Sequence, residues 1–116
     1  MRVNLATELT KLPGRPSPEW PAGVPFRAPF AHGSMRLVVF APRGSDVQTP
    51  HGQDEVYIVV SGRGTLVIES EAFPFERGDA LFVGAGKEHR FVDFSDDLVT
   101  WAIFWGPEGG EPAGSG

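Results

Sequence analysis

From Ser34 onward, apolar residues fall in runs of three to eight, each closed by a turn of glycine, proline or charged residues. Short runs rich in β-branched and aromatic side chains predict strands rather than helices. They are SMRLVVF (34–40), VQT (47–49), EVYIVV (55–60), GTLVIE (64–69), AFPFE (72–76), ALFV (80–83), HRFVDF (89–94) and LVTWAIFW (98–105). Eight strands at short spacing with no helix between them predict an all-β domain: a sandwich, an open barrel or a double-sheet jelly roll. Several runs are apolar on both faces, as expected of a sandwiched or closed sheet. Along 98–105 the alternation gives two stripes, Trp101, Ile103 and Trp105 on one face, Ala102 and Phe104 on the other.

The ends read differently. Asn4 is placed to cap a short helix over 5–12, with Leu5, Leu9 and Leu12 at helical spacing and Pro13 as its stop. Six prolines between Pro13 and Pro29 exclude a helix or central strand over 13–33. That stretch still carries Trp20, Phe26 and Phe30, so it predicts an extended arm pinned by aromatic anchors, on its own barrel or over a partner subunit. The closing GPEGGEPAGSG is low in complexity, and 107–116 is expected to be a disordered tail. The chain thus divides into an N-terminal helix and arm (1–33), a β-domain (34–106) and the tail.

Composition narrows the function classes. A chain of 116 residues is one domain's worth, and at 41% hydrophobic it can bury roughly two-thirds of its unfolded surface. The absence of cysteine removes disulfides, thiolate zinc sites, a Cys nucleophile and the Cys pair of a true immunoglobulin domain. Ten basic against fifteen acidic residues give a net charge of −5, which argues against nucleic acid or an anionic membrane as partner. No apolar run approaches the roughly 18 residues of a membrane span, and the first residues lack a signal peptide's apolar stretch. A cytoplasmic domain is the expectation.

Only three histidines exist, His32, His51 and His89. His51 lies four residues before Glu55 at the mouth of a strong strand, and His89 opens the penultimate one. On antiparallel neighbours these points can meet at one end of a barrel. Two imidazoles and one carboxylate are the donor set of a facial centre for Fe(II) or Mn(II), with open positions.

The surrounding pattern adds to this. TPHGQDEVYIVVSG (49–62) resembles the first cupin motif, G-x5-H-x-H-x3-4-E-x6-G, with Thr49, His51, Glu55 and Gly62 on its positions and Gly44 one residue too close. GDALFVGAGKEHRFVD (78–93) resembles the second, G-x5-P-x-G-x2-H-x3-N. There Gly78, Gly86 and His89 match, Gly84 stands for the proline and Asp93 for the asparagine. The resemblance covers residues 34–106 and implies a small single-domain cupin. Its fold would be a double-stranded β-helix (jelly-roll) barrel, with metal ligands at His51, Glu55 and His89. It also implies a divalent cofactor (Fe, Mn, Ni or Zn), a small-molecule ligand in the barrel and a homodimer. Thr49 departs from the motif, where a third histidine ligand would stand. Water, Gln53 or His32 is the expected substitute.

Other residues are weighed by strand parity. Tyr57 shares a face with Glu55, and Phe91 with His89, so each is a pocket or core residue. Arg36 is polar inside an apolar strand and is the candidate to clamp a substrate carboxylate, whereas Arg90 faces away from His89. Trp101 is either core or an aromatic pocket wall. Ser34, Ser61 and Ser70 have no His–acid neighbours in sequence, which argues against a serine nucleophile. The functional expectation is a metal-binding cupin, acting on a small oxygenated organic acid or carbonyl compound in the manner of a dioxygenase, isomerase or decarboxylase. The alternative is a non-catalytic module that binds or senses a small ligand or metal.

Overall fold

The computed structural model describes residues 1–112. Among them, one short helix, α1 (Leu5–Leu9), precedes eight strands. These are β1 (Phe26–His32), β2 (Met35–Phe40), β3 (Asp54–Ser61), β4 (Gly64–Ile68), β5 (Glu71–Phe75), β6 (Ala80–Val83), β7 (His89–Val92) and β8 (Val99–Trp105). They form a five-stranded sheet in the order β1-β2-β8-β3-β6 and a three-stranded sheet in the order β5-β4-β7. All the pairings are antiparallel. Non-consecutive neighbours arise because the chain crosses between two facing sheets, which is the jelly-roll arrangement.

The strand count matches the sequence reading, but its membership does not. VQT (47–49) is not a strand, because Asp46 takes the Gln48 backbone N–H on its side chain at 3.0 Å, and Pro50 follows with no donor. Instead the proline-rich arm supplies β1, so the sheet begins at Phe26. Pro29 is tolerated there because β1 is an edge strand whose register slips between Arg27 and Phe30. Trp20 and Phe26 pack on Phe40 at 6.5 and 6.4 Å between ring centroids, so this arm covers its own barrel.

Asn4 caps α1 as expected, its side chain accepting from Thr7 N at 3.0 Å. The helix stops at Leu9 rather than Leu12. Lys11 and Leu12 bond three residues back, and this tight turn ends before Pro13. At the other end, Gly109 N donates to Gly52 O at 2.7 Å and Glu111 N to Asp54 at 2.9 Å. The start of the expected disordered tail is therefore fastened to the barrel; residues 113–116 lie outside the described residues.

The core lies between the sheets. Val38, Phe40, Tyr57, Val59, Ala102 and Phe104 of the five-stranded sheet pack with Leu66, Phe75 and Phe91 of the three-stranded one and with Leu98 just before β8. Gly62 closes the β3–β4 turn at φ +90°, with the Leu98 backbone 2.7 Å from where a Cβ would stand. Only glycine satisfies both conditions. No helix among the described residues is long and apolar enough to cross a membrane.

Candidate metal centre

β3 carries Glu55 on its inward face, the turn before it brings His51 back over that carboxylate, and β7 opens with His89. His51 Nε2 lies 2.8 Å from Glu55 Oε1, and His89 Nε2 lies 3.5 Å from the same oxygen. One ligating atom from each of the three falls within 4.8 Å of the others. Glu55 is 1% exposed and His89 4%. The meeting depends on a four-residue return at one strand and on the register of another.

Each imidazole is aimed by a backbone carbonyl. His51 Nδ1 lies 2.8 Å from Gln53 O, and His89 Nδ1 lies 2.9 Å from Lys87 O. A carbonyl can only accept, so Nδ1 donates its hydrogen in both rings and a neutral ring keeps its lone pair on Nε2. Both lone pairs then point at an acid that is also an acceptor. His89 Nε2 is buried with no hydrogen-bond partner. Such a group is costly unless a proton or a cation sits beside it. A divalent metal satisfies all three donors at once, and the donor set suits Fe, Mn, Ni or Zn. His51, Glu55 and His89 would hold it.

Electrostatics agree with the geometry. Burial pushes the Glu55 carboxyl upward, but the two imidazoles outweigh it and hold it below the ordinary range. Burial pulls His89 down, yet Glu55 and the Lys87 carbonyl leave it raised. Behind the cluster, buried Asp46 accepts from Phe91 N at 2.8 Å, Gln48 N at 3.0 Å and Gln48 Nε2 at 2.7 Å. Desolvation still leaves its carboxyl raised. The Gln48 amide is thereby turned so that its oxygen accepts from Tyr57 Oη at 3.2 Å. Burial pushes that phenol well above its ordinary value, so Tyr57 is neutral at physiological pH.

A cavity of about 350 Å³ opens above Glu55 and Tyr57, walled by Val38, Phe40, Ala102, Phe104 and the arm's Trp20 and Phe26. Arg36 and Thr49 also line it. The Arg36 guanidinium carbon sits 4.6 Å from the Phe104 ring centroid.

The three ligand candidates and two of the pocket candidates, Tyr57 and Arg36, thus come together. Thr49 lies exposed on the rim, outside the cluster. Gln53 does not turn its amide to the site. Its Nε2 binds Ser34 O and Gly106 O, both at 2.9 Å, and only its backbone carbonyl serves His51. His32 is exposed at the β1–β2 hairpin and takes no part. Phe91 is core, edge-on to Tyr57 at 4.9 Å. Trp101 faces outward, and its stripe is the outer one; Phe104 is the aromatic wall. Glu55 pairs with Phe104 across β3 and β8, so those two share the inner face. Asp46, Gln48 and Phe104 carry no sequence signal that singles them out, because only the strand register places them here.

The comparisons with known proteins agree with this architecture. The cupin domain family matches residues 36–105. An uncharacterised protein of Streptomyces coelicolor is 44% identical over 75 residues, 65% of this chain and 71% of that one. The crystal structure of a cupin-2 domain protein from Shewanella frigidimarina superposes with a TM-score of 0.63 at 16% identity, covering 88% of this chain and 91% of that one. A structure described as that of DMSP lyases superposes at 0.58 with 25% identity, covering 66% of this chain and 41% of that one. With the family match spanning β2 to β8 and both motifs, the chain belongs to the cupin family.

Proposed function

We propose that this cupin holds a divalent metal on His51, Glu55 and His89, and acts there on a small oxygenated organic acid or carbonyl compound in the barrel cavity. The observation that carries this is the unpartnered, buried His89 Nε2 aimed at Glu55. One carboxylate and two neutral imidazoles leave a divalent ion a formal charge of about +1, which favours an anionic oxygen ligand. The ion would supply Lewis acidity toward a carbonyl, or redox chemistry if it were iron. The protein's own residues shape the rest. Glu55 supplies the negative charge, Tyr57 keeps a neutral hydroxyl beside it, and Trp20, Phe26, Phe40 and Phe104 line the cavity with apolar surface. The likeness to DMSP lyases supports a reaction on a small acid without fixing which one.

The test is elemental analysis of tag-free protein after growth in mixed trace metals, beside His51→Ala/His89→Ala. Near-stoichiometric metal in the wild type and none in the variant is the expected result. No metal in either, even after reconstitution, would overturn the reading. A second reading, ligand capture without turnover, draws on Thr49, which leaves the cluster one side chain short of the full motif. Metal-dependent turnover abolished in Glu55→Ala argues against it; tight binding with no conversion over hours supports it.

We further propose that the chain self-associates through the outer face of the five-stranded sheet, where Phe30, Leu37, Ile58, Trp101 and Ile103 form a groove whose lining side chains are all apolar, with Met1 at its edge. A second copy of this acidic chain can cover such a face without opposing like charges, burying the same stripe on both sides. Light scattering should give a dimer mass for the wild type and a monomer mass for Trp101→Glu. A monomeric wild type would refute it.

A further inference from the structure

We infer that the cavity selects a ligand with two anionic ends: one oxygen function at the metal centre and a second carboxylate held by Arg36 across the Phe104 ring. This rests on the metal reading above and names the class of ligand that site takes.

Register makes the pairing. Arg36 lies opposite Phe104 across β2 and β8, and Phe104 lies opposite Glu55 across β8 and β3. The three therefore form one cross-strand row on the inner face, with the cation and the metal-binding carboxylate two strands apart. Adjacent strands are about 4.8 Å apart. The same distance scale appears in the side chains. Phe104 is 4.6 Å from the Arg36 guanidinium and 4.7 Å, edge to face, from the His51 ring. One ring's breadth separates the cation from the centre.

Arg36 is also available. Among the described residues no acid lies within 4.0 Å of its guanidinium, whereas Arg27, which lines the same cavity, is engaged by Glu8 at 2.8 Å. Stacking on Phe104 fixes the plane of the guanidinium and leaves its edge N–H groups to form a two-pronged contact with a carboxylate. With Glu55 neutralised by the metal, Arg36 and the centre both present positive charge to the cavity, against Glu19 at its rim. Arg36 is itself exposed at the cavity mouth, so a monoanion bound at the metal leaves its guanidinium to solvent, while a dianion of matching length meets both positive groups. The cavity volume of about 350 Å³ accommodates a short aliphatic dicarboxylate with the apolar walls against its methylenes.

The test uses the full chain reconstituted with Co(II), whose visible absorption reports contact with the metal. Malonate, succinate and glutarate are titrated calorimetrically beside acetate, propionate and butyrate, in wild type, Arg36→Gln and Arg36→Lys. The expected result is that one dicarboxylate binds about tenfold or more tighter than any monocarboxylate and perturbs the Co(II) band. Arg36→Gln should abolish that advantage while leaving Co(II) stoichiometry and monocarboxylate affinity unchanged, and Arg36→Lys should restore part of it. Equal binding of the two series, or an advantage that survives Arg36→Gln, would overturn the clamp while the Co(II) response leaves the metal reading standing. Failure of the wild type to take up Co(II) would overturn the metal reading and this inference together.

Discussion

The two faces of β8 and its neighbours each depart from the usual distribution of polarity, the inner by holding charge within an apolar core and the outer by showing an apolar stripe. On the inner face, the rows Arg36–Phe104–Glu55 and Val38–Ala102–Tyr57 bring charge and hydroxyl into the barrel. On the outer face, the rows Leu37–Ile103–Val56 and Val39–Trp101–Ile58 are wholly apolar, yet most of those side chains are only half-buried. An interior normally collects the apolar residues and leaves charge outside. Here buried Glu55, Asp46 and Tyr57 are each satisfied by a named partner, and His89 Nε2 is the exception. A barrel interior can hold such groups because they satisfy one another, and among the described residues the one buried side-chain atom left unsatisfied lies in the His51–Glu55–His89 cluster.

Two aromatic residues of one strand, three positions apart and on opposite faces, give the largest contrast. Phe104→Ala empties a buried ring that touches both Arg36 and His51, and should cost about 3–5 kcal/mol. Trp101→Ala, on the half-exposed face, should cost about 1–2 kcal/mol although it removes a larger ring. Denaturant unfolding of metal-free protein checks the order, and equal losses would break the distinction between faces. Next in size is Glu55→Gln, which keeps the shape but removes the charge. Metal affinity should fall about 100-fold or more, beyond what loss of a supporting contact outside the ligand set costs. Competition with a chelator measures it. The same assay on Trp101→Ala should return the wild-type value, and a shared loss would mean the faces are not independent.

What is legible in the sequence divides along a similar line. His51 and Glu55 meet through a local four-residue spacing, and the cupin motifs carry His89 with them, so all three members of the cluster can be named from sequence alone. The strands from Met35 onward are legible too, because their apolar runs are bounded by turn residues. Period-two alternation shows that 98–105 has two faces but not which is inside, since both are apolar. Trp101 and Phe104 exchange roles once the pairing with Glu55 is known. β1 is hidden because Pro29 reads as a breaker, and only an edge position with a register slip excuses it. Asp46 carries no local signal for a donor set drawn from Gln48 and Phe91. Gln53 resembles a ligand because its two carbonyl partners are distant in sequence.

The smallest expected effect separates proton from metal at the same nitrogen. In metal-free protein, burial pulls the His89 pKa down, but Glu55 leaves it raised above the ordinary value near 6.5. A raised folded-state pKa means that folding favours the protonated ring. That contribution is complete below about pH 6.5 and is lost as pH climbs through the folded value. Glu55, held below 4.5, contributes above that pH and loses its share only as pH falls through its own lowered value. Between about pH 6 and pH 8, then, only His89 of this pair changes, and metal-free protein should become less stable as pH rises. The loaded protein should do the opposite, because the metal needs the bare Nε2 and binds better as protons leave. Thermal midpoints across that range should therefore slope in opposite directions for the two forms. Trp101→Ala should keep the metal-free slope and His89→Gln should flatten it. A slope unchanged in His89→Gln would place the titrating group elsewhere and remove the unpartnered nitrogen's special standing in the barrel.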